Sequence, residues 1–211
     1  NGVYFQDEQR SDVKNKRNAM MSKGEIMNRL ATSKEDILAA SRDLIKENGW
    51  AAVSIRAVAS RCSVSAGTIY NYYESKADLL SDTIESIWHE IFFHPEDEQV
   101  FHDVESCISW IYERLEYGNR QFPGFFSLHS FGFMRDEKTS GKKRMMKTWG
   151  HILNGLCEVL GNDPKVRADV FDQEFTEKKF ADILFSLILV SMIRQDYDPS
   201  SVLMLVKKTL Y

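Results

Sequence analysis

Between Ile55 and Ser75 the chain reads IRAVASRCSVSAGTIYNYYES, and few folds can hold that stretch. Ser54 and Ser65 each read as an N-cap, because a short hydroxyl side chain accepts a hydrogen bond from one of the unpaired amides that open a helix. They place two short helices, the first through about Cys62 and the second through about Tyr73, separated by about three or four residues. Elements so close must cross steeply, and they can touch only where the contact residue is small. Ala59 stands there, and Val58, Cys62, Val64 and Ile69 supply a shared mini-core. This is the spacing of a helix-turn-helix.

The rest of the chain has a helical period nearly everywhere, with no strand-like alternation and no Asn-Gly hairpin, so the expected fold class is all-α. A first helix begins at Thr32 or Ser33, paired with Glu35 or Asp36 respectively in a capping box. It buries Ile37, Ser41, Leu44 and Ile45 and stops at Gly49. Ser75 with Asp78 caps a longer helix whose inner stripe is Leu80, Ile84, Ile87, Trp88 and Ile91, ending before His94-Pro95. Val104, Ile108, Ile111 and Leu115 mark a helix closed by Gly118, and residues 135–143, RDEKTSGKK, read as a loop. Met145, Trp149, Ile152, Leu156 and Val159 mark the next helix, stopped by Gly161 and Pro164. The last two run from about Glu174 to Gln195 and from Ser200 to the end. NGVYFQ and Asn18-Ala19-Met20 resemble expression-tag remnants, so residues 1–31 are expected to be a flexible tail. Residues 32–78 are expected to form the helix-turn-helix domain, and 79–211 a second, helical domain.

Charge and composition exclude several classes. A net charge of −4 over 211 residues argues against coating nucleic acid non-specifically. The charge is uneven, however: between residues 10 and 34, Arg10, Lys14, Lys16, Arg17, Lys23, Arg29 and Lys34 meet only Asp12 and Glu25. That asymmetry points to an anionic partner near the N-terminal end. Cys62, Cys107 and Cys157 form no C-x-x-C pair, which favours a reducing compartment over a disulfide framework or a zinc site. The most apolar run, Ile183 to Ile193, ends at Arg194 and is too short to span a bilayer, so a cytoplasmic location is expected. His89, His94 and His102 lack a metal-binding spacing, and no metal or cofactor is expected. With no nucleophile elbow, phosphate-cradling glycine loop or paired carboxylates, an enzyme is the least supported class.

The second short helix explains the tyrosines. It opens with small side chains, so its N-terminal end can approach a phosphate backbone closely. Ala66 and Gly67 permit the approach, Thr68 can touch a thymine methyl or a phosphate, and Tyr70, Asn71 and Tyr72 project along the exposed face. A tyrosine ring packs on sugar or a thymine methyl while its hydroxyl bonds a phosphate. Lys76 adds a phosphate contact. Tyr73 is expected to pack between helices.

From Thr32 to Trp88 the chain resembles the DNA-binding domain of TetR-family (TetR/AcrR) repressors. The residues that carry the resemblance are Gly49-Trp50, Ser54-Ile55-Arg56-Ala57-Val58-Ala59, Val64-Ser65-Ala66-Gly67-Thr68-Ile69-Tyr70-Asn71-Tyr72-Tyr73, Lys76 and Leu79-Leu80. It implies that Ser54, Ser65, Ala66, Gly67, Thr68, Tyr70, Asn71, Tyr72 and Lys76 contact operator DNA. One departure is visible: the family's turn usually reads Ala-Gly-Val-Ser, and here it is Cys62-Ser63-Val64-Ser65. A left-handed Ser63 costs on the order of 1 kcal/mol.

Beyond residue 79 the reading rests on pattern and on the family. The helix ending near Gln195 is apolar nearly all round and must be covered on both sides. With the last helix it resembles the dimer bundle of TetR-like proteins, which implies an interface through Leu184, Leu187, Ile188, Ser191, Val202 and Val206. The alternative is a central helix of a monomer. Aromatic residues crowd the middle, and the resemblance implies a pocket for a small apolar or aromatic effector lined by Trp110, Phe126, Phe133 and Trp149, with His129, Tyr112 or Arg135 as polar anchors. A plain aromatic core fits the same residues. The expected function is a homodimeric repressor released from a palindromic operator by an effector. The alternative is an effector-independent DNA-binding dimer with an organising or partner-recruiting role.

Overall fold

Most helices among the described residues begin where a serine, threonine or aspartate side chain caps them. In the computed structural model, which describes residues 32–92, 101–126 and 140–211 (over 140–148 the backbone alone), Ser33 settles the first start. Its hydroxyl accepts from the Asp36 amide at 3.1 Å, and the Asp36 carboxylate accepts from the Ser33 amide at 2.8 Å. This closed capping box opens α1, Lys34–Asn48. Gly49, at φ 77°, ends it by returning its amide to the Ile45 carbonyl at 2.8 Å. A 3₁₀ turn, Trp50–Ala52, leads to α2, Ile55–Arg61, and α3, Ala66–Tyr70, followed by α4, Lys76–Phe92. Serines at 54, 65 and 75 cap these three, each accepting from the amide three residues on. Then come α5, Val104–Gln121; α6, Ser140–Asn162; α7, Glu177–Arg194; and α8, Ser200–Leu210. The fold is all-α, with no strand among the described residues.

Three boundaries differ from the sequence reading. Helix α3 ends at Tyr70 rather than Tyr73, because Tyr73 must turn into the core, where it is 3% exposed. Ser140 starts α6 inside the stretch expected to be a loop. Gly118 does not close α5 but lies within it. A Cβ there would stand 2.6 Å from Ile91 Cδ1 and 3.1 Å from Phe126 Cζ, so the glycine serves close approach of α5 to α4.

Residues Thr32–Tyr211 form one compact unit. Helix α1 packs on α2 and α4, α2 on α3, α4 on α5 and α6, α6 on α7, and α8 on α5. Helix α4 is the spine: Leu79, Leu80, Ile84, Ile87, Trp88 and Ile91 are all buried. Charges brace it at both ends. Near its start Asp82, only 8% exposed, pairs with Lys34 at 2.5 Å. Near its end the Glu90 carboxylate takes Arg42 at 3.1 Å and Lys46 at 2.7 Å from α1. Arg114 of α5 donates to the carbonyls of Glu90 and Ile91. Half-buried ion pairs of this kind give register more than net stability.

Helix α7 corrects the expected partner face. Phe180, Ala181, Leu184, Ile188 and Met192 point into the chain's own core, while Ile183, Val190 and Ile193 are 44%, 45% and 50% exposed. Leu184, Ile188, Val202 and Val206 are therefore core residues, since each is at most 7% exposed and has no surface to offer a second chain. Leu187 and Ser191 are half-buried. Period and composition make α7 apolar all round; only its packing against α6 decides which side is outside.

Candidate functional site

The turn between α2 and α3 is a closed C-terminal cap. Val64 donates to the Ala59 carbonyl at 2.9 Å and Ser63 to the Ser60 carbonyl at 3.1 Å. Ser63 sits at φ 57° in the left-handed region, the place a glycine usually takes in such a motif. With Ala59 buried at the crossing and Val58 and Ile69 fully enclosed, the turn holds α3 rigidly with its outer face in solvent.

That face carries the predicted residues. Ser65, Gly67, Asn71 and Lys76 are exposed, Ser54, Ala66 and Thr68 are half-buried, and Tyr70 and Tyr72 are 55% and 43% exposed. Ser54 Oγ is engaged in its cap, and Ser65 Oγ both caps α3 and shares a hydrogen bond with Thr68 Oγ1 at 3.0 Å. The Tyr72 hydroxyl, expected to meet a phosphate, donates instead to the Thr32 carbonyl at 2.8 Å, tying the end of the recognition stretch to the start of α1. Among the described residues nothing requires Gly67 to lack a side chain: an added Cβ would meet only Ser65 Oγ there, at 3.5 Å.

Among the cations nearby, Arg61 is held by Glu47 of α1, whereas Arg56 and Lys76 are exposed with no ion pair among the described residues. The sequence reading missed Arg56. Its signal was an arginine in the first turn of α2, where the helix dipole disfavours a cation unless an anion outside the chain balances it.

In the second half, aromatic rings form a connected cluster. Trp88 lies 5.6 Å from both Phe125 and Phe126 and 5.7 Å from Phe92, which in turn meets Trp110 at 5.7 Å. Phe125 also reaches Trp50 of the 3₁₀ turn at 6.2 Å, and Phe126 reaches Tyr197 at 6.4 Å. Of the predicted lining residues, Trp110 and Phe126 belong to this cluster, Trp149 packs on Phe185 of α7, and Phe133 lies outside the described residues. His129 and Arg135 also lie outside them. Tyr112 is bonded to Ser191 at 2.9 Å, so neither waits for a ligand or a partner chain. Burial pushes the Tyr112 phenol up, and pushes that of Tyr197 up to about 12. The described residues hold no group of three His, Cys, Asp or Glu that could bind a metal. Among them no helix is long and apolar enough to cross a membrane.

Residues 37–83 match the family model for bacterial regulatory proteins of the tetR family. The HTH-type transcriptional regulator UidR of Escherichia coli strain K12 is 38% identical over 48 residues, 23% of this chain and 24% of that protein. The matched stretch thus spans about a quarter of that relative's length. In overall fold the chain is similar to FadR of Bacillus subtilis in complex with stearoyl-CoA, at 18% identity and a TM-score of 0.59 over 85% of this chain and 100% of that one. It is similar to a transcriptional regulator of Rhodococcus sp. Rha1, at 19% identity and a TM-score of 0.58 over 80% and 86%. It is also similar to GusR of Salmonella enterica, at 19% identity and 0.56 over 83% and 94%. The sequence match falls on the same residues that arrange α1 to α3 and the start of α4, and the likeness of fold extends beyond them; residues 37–83 match the tetR family of bacterial regulatory proteins.

Proposed function

We propose that the chain is a dimeric transcriptional repressor that reads a palindromic operator with α3 and releases it when a small apolar effector binds among the helices of the second half. The observation that carries the DNA-reading part is Gly67. Glycine is a poor helix former, and here no neighbour among the described residues requires it. A missing side chain on an exposed face, between a serine cap and two exposed tyrosines, suits close approach by a large external surface. Arg56 and Lys76, unpaired on that side, are the phosphate contacts, and Tyr70 is the base-edge or sugar contact.

Dimerisation is supported by the outward apolar residues Ile183, Val190 and Ile193 of α7, joined on α8 by Met204, 58% exposed, and Leu205, 38% exposed. A single helix-turn-helix reads too few base pairs for useful specificity, so a second copy completes the reader. The effector part is supported by the aromatic cluster and by the stearoyl-CoA that FadR, similar in fold, holds.

The test begins with duplexes selected from a randomised pool on the wild-type protein. Tyr70→Ala is expected to weaken the selected duplex by about 1–3 kcal/mol, and Arg56→Ala to weaken all duplexes alike and reduce the salt dependence. Failure to select any sequence, or an unchanged titration with folded Tyr70→Ala, would remove the assignment of α3.

A further inference from the structure

Two buried donors in the aromatic cluster have no hydrogen-bond acceptor among the described residues: the indole Nε1 of Trp88 and the phenol of Tyr197. Trp88 is 4% exposed. Both rings pack on Phe126, at 5.6 and 6.4 Å between centroids, so the two donors belong to rings that share one neighbour. Tryptophan and tyrosine are retained in a core where their polar ends find a partner; a phenylalanine would fill either place without the cost of a stranded N–H or O–H. The neighbouring polar groups are matched. Tyr112 has Ser191, and Arg114 has the carbonyls of Glu90 and Ile91.

We propose, on the reading of the chain as an effector-released regulator, that its ligand lies against Phe126 and carries uncharged carbonyl-type oxygens that accept hydrogen bonds from Trp88 and Tyr197. Two neutral donors favour a neutral acceptor. Two described cations beside the cluster are committed: Arg114 stacks on Tyr117 at 4.6 Å, and Lys46 pairs with Glu90 and lies over Phe122. The exposed Asp196 and Asp198 flank Tyr197 in sequence and their charges reach Tyr112, which adds to the cost of placing an anion in this interior. Tyr197 keeps its proton at neutral pH and can only gain by donating it to a hydrogen bond.

The site also has a route to the DNA-reading half. Phe125 packs on Trp88 and on Trp50, and Trp50 belongs to the turn that joins α1 to α2. A ligand that draws the Trp88 indole towards its own oxygen changes the packing under that turn, and an effector acts only through such a difference between two states.

The experiment uses matched aromatic pairs that differ in one carbonyl, 1-tetralone against tetralin and fluorenone against fluorene, with 1-naphthoate as the charged control. Wild type, Trp88→Phe and Tyr197→Phe are titrated with each, and release of the selected duplex is read alongside. The ketones are expected to bind wild type more tightly than the hydrocarbons and to weaken on the order of tenfold in each variant, while the hydrocarbons weaken little. In the ¹H–¹⁵N spectrum the Trp88 indole signal is expected to move downfield with 1-tetralone. The ligand-free melting temperature of Tyr197→Phe is expected at or above that of wild type. Equal binding of ketone and hydrocarbon, ketone affinity unchanged in both variants, a preference for naphthoate, or no ketone bound at all would each overturn the site. Ketone binding that depends on both donors yet leaves the duplex bound supports the site and removes effector release instead.

Discussion

The Tyr211 phenol donates to Asp163 Oδ2 at 2.6 Å, and the same carboxylate oxygen accepts the Val104 amide at 2.9 Å. Its other oxygen takes the Lys165 amide at 2.9 Å. One buried carboxylate, 6% exposed, thus joins the start of α5, the segment after α6 and the end of α8. Asp163→Ala leaves the buried Val104 amide, the part-buried Lys165 amide and the Tyr211 phenol without this acceptor and should cost about 2–4 kcal/mol in urea unfolding. Burial first, and Asp163 second, hold the Tyr211 phenol above its ordinary value of 10.0. A group whose folded value is raised contributes stability that is present below the unfolded value and is lost above it. Stability should therefore fall as pH rises past 10.0, and Tyr211→Phe should flatten that alkaline limb.

Gly118→Ala should destabilise by about 1–3 kcal/mol through overpacking, because Ile91 is fully buried and Phe126 closes the other side. Ile91→Val removes the Cδ1 atom that the new methyl meets. The double variant should therefore be more stable than the sum of the single losses, which a double-mutant cycle in denaturant would reveal. Additive losses would mean that the helices part rather than the side chain yielding.

Ser63→Gly should stabilise by about 0.5–1 kcal/mol, since the left-handed conformation that serine holds at φ 57° is free of penalty for glycine. Chemical denaturation of the two proteins side by side gives the difference. A loss would show that the serine side chain supports the turn in a way its backbone does not reveal.

Val190→Glu with Ile193→Glu should give a folded monomer, because both side chains already lie in solvent on α7. Leu184→Glu should instead unfold the chain, placing an unpaired carboxylate at a position with 0% exposure. Sedimentation and circular dichroism separate the outcomes. A native dimer carrying both outer glutamates would place the interface elsewhere.

What could be read in advance was what local chemistry decides. Ser33, Ser54, Ser65 and Ser75 cap helices because a hydroxyl serves amides three residues away, and such contacts need no knowledge of the rest of the chain. Gly118 was misread because a glycine that stops a helix and one that admits a neighbour look alike until Ile91 is brought beside it. Leu184 and Ile188 were placed outward for a similar reason: on a helix apolar all round, the neighbours choose the buried side. Trp88 appeared as one more core residue, and Tyr197 drew no notice, because a stranded N–H or O–H exists only once every other polar atom has its place.

The four tryptophans of the chain are distributed unevenly. Trp50 meets Phe125, Trp88 meets Phe126, Trp110 meets Phe101 and Trp149 meets Phe185, while α2 and α3 carry none. The molecule is therefore optically lopsided. Its tryptophan emission comes from the aromatic interior and the turn that leads to α2, and the face proposed to meet a duplex carries no indole. An unlabelled sample would therefore report the proposed small-molecule occupancy through its own indole emission, with little contribution from the helices proposed to read DNA.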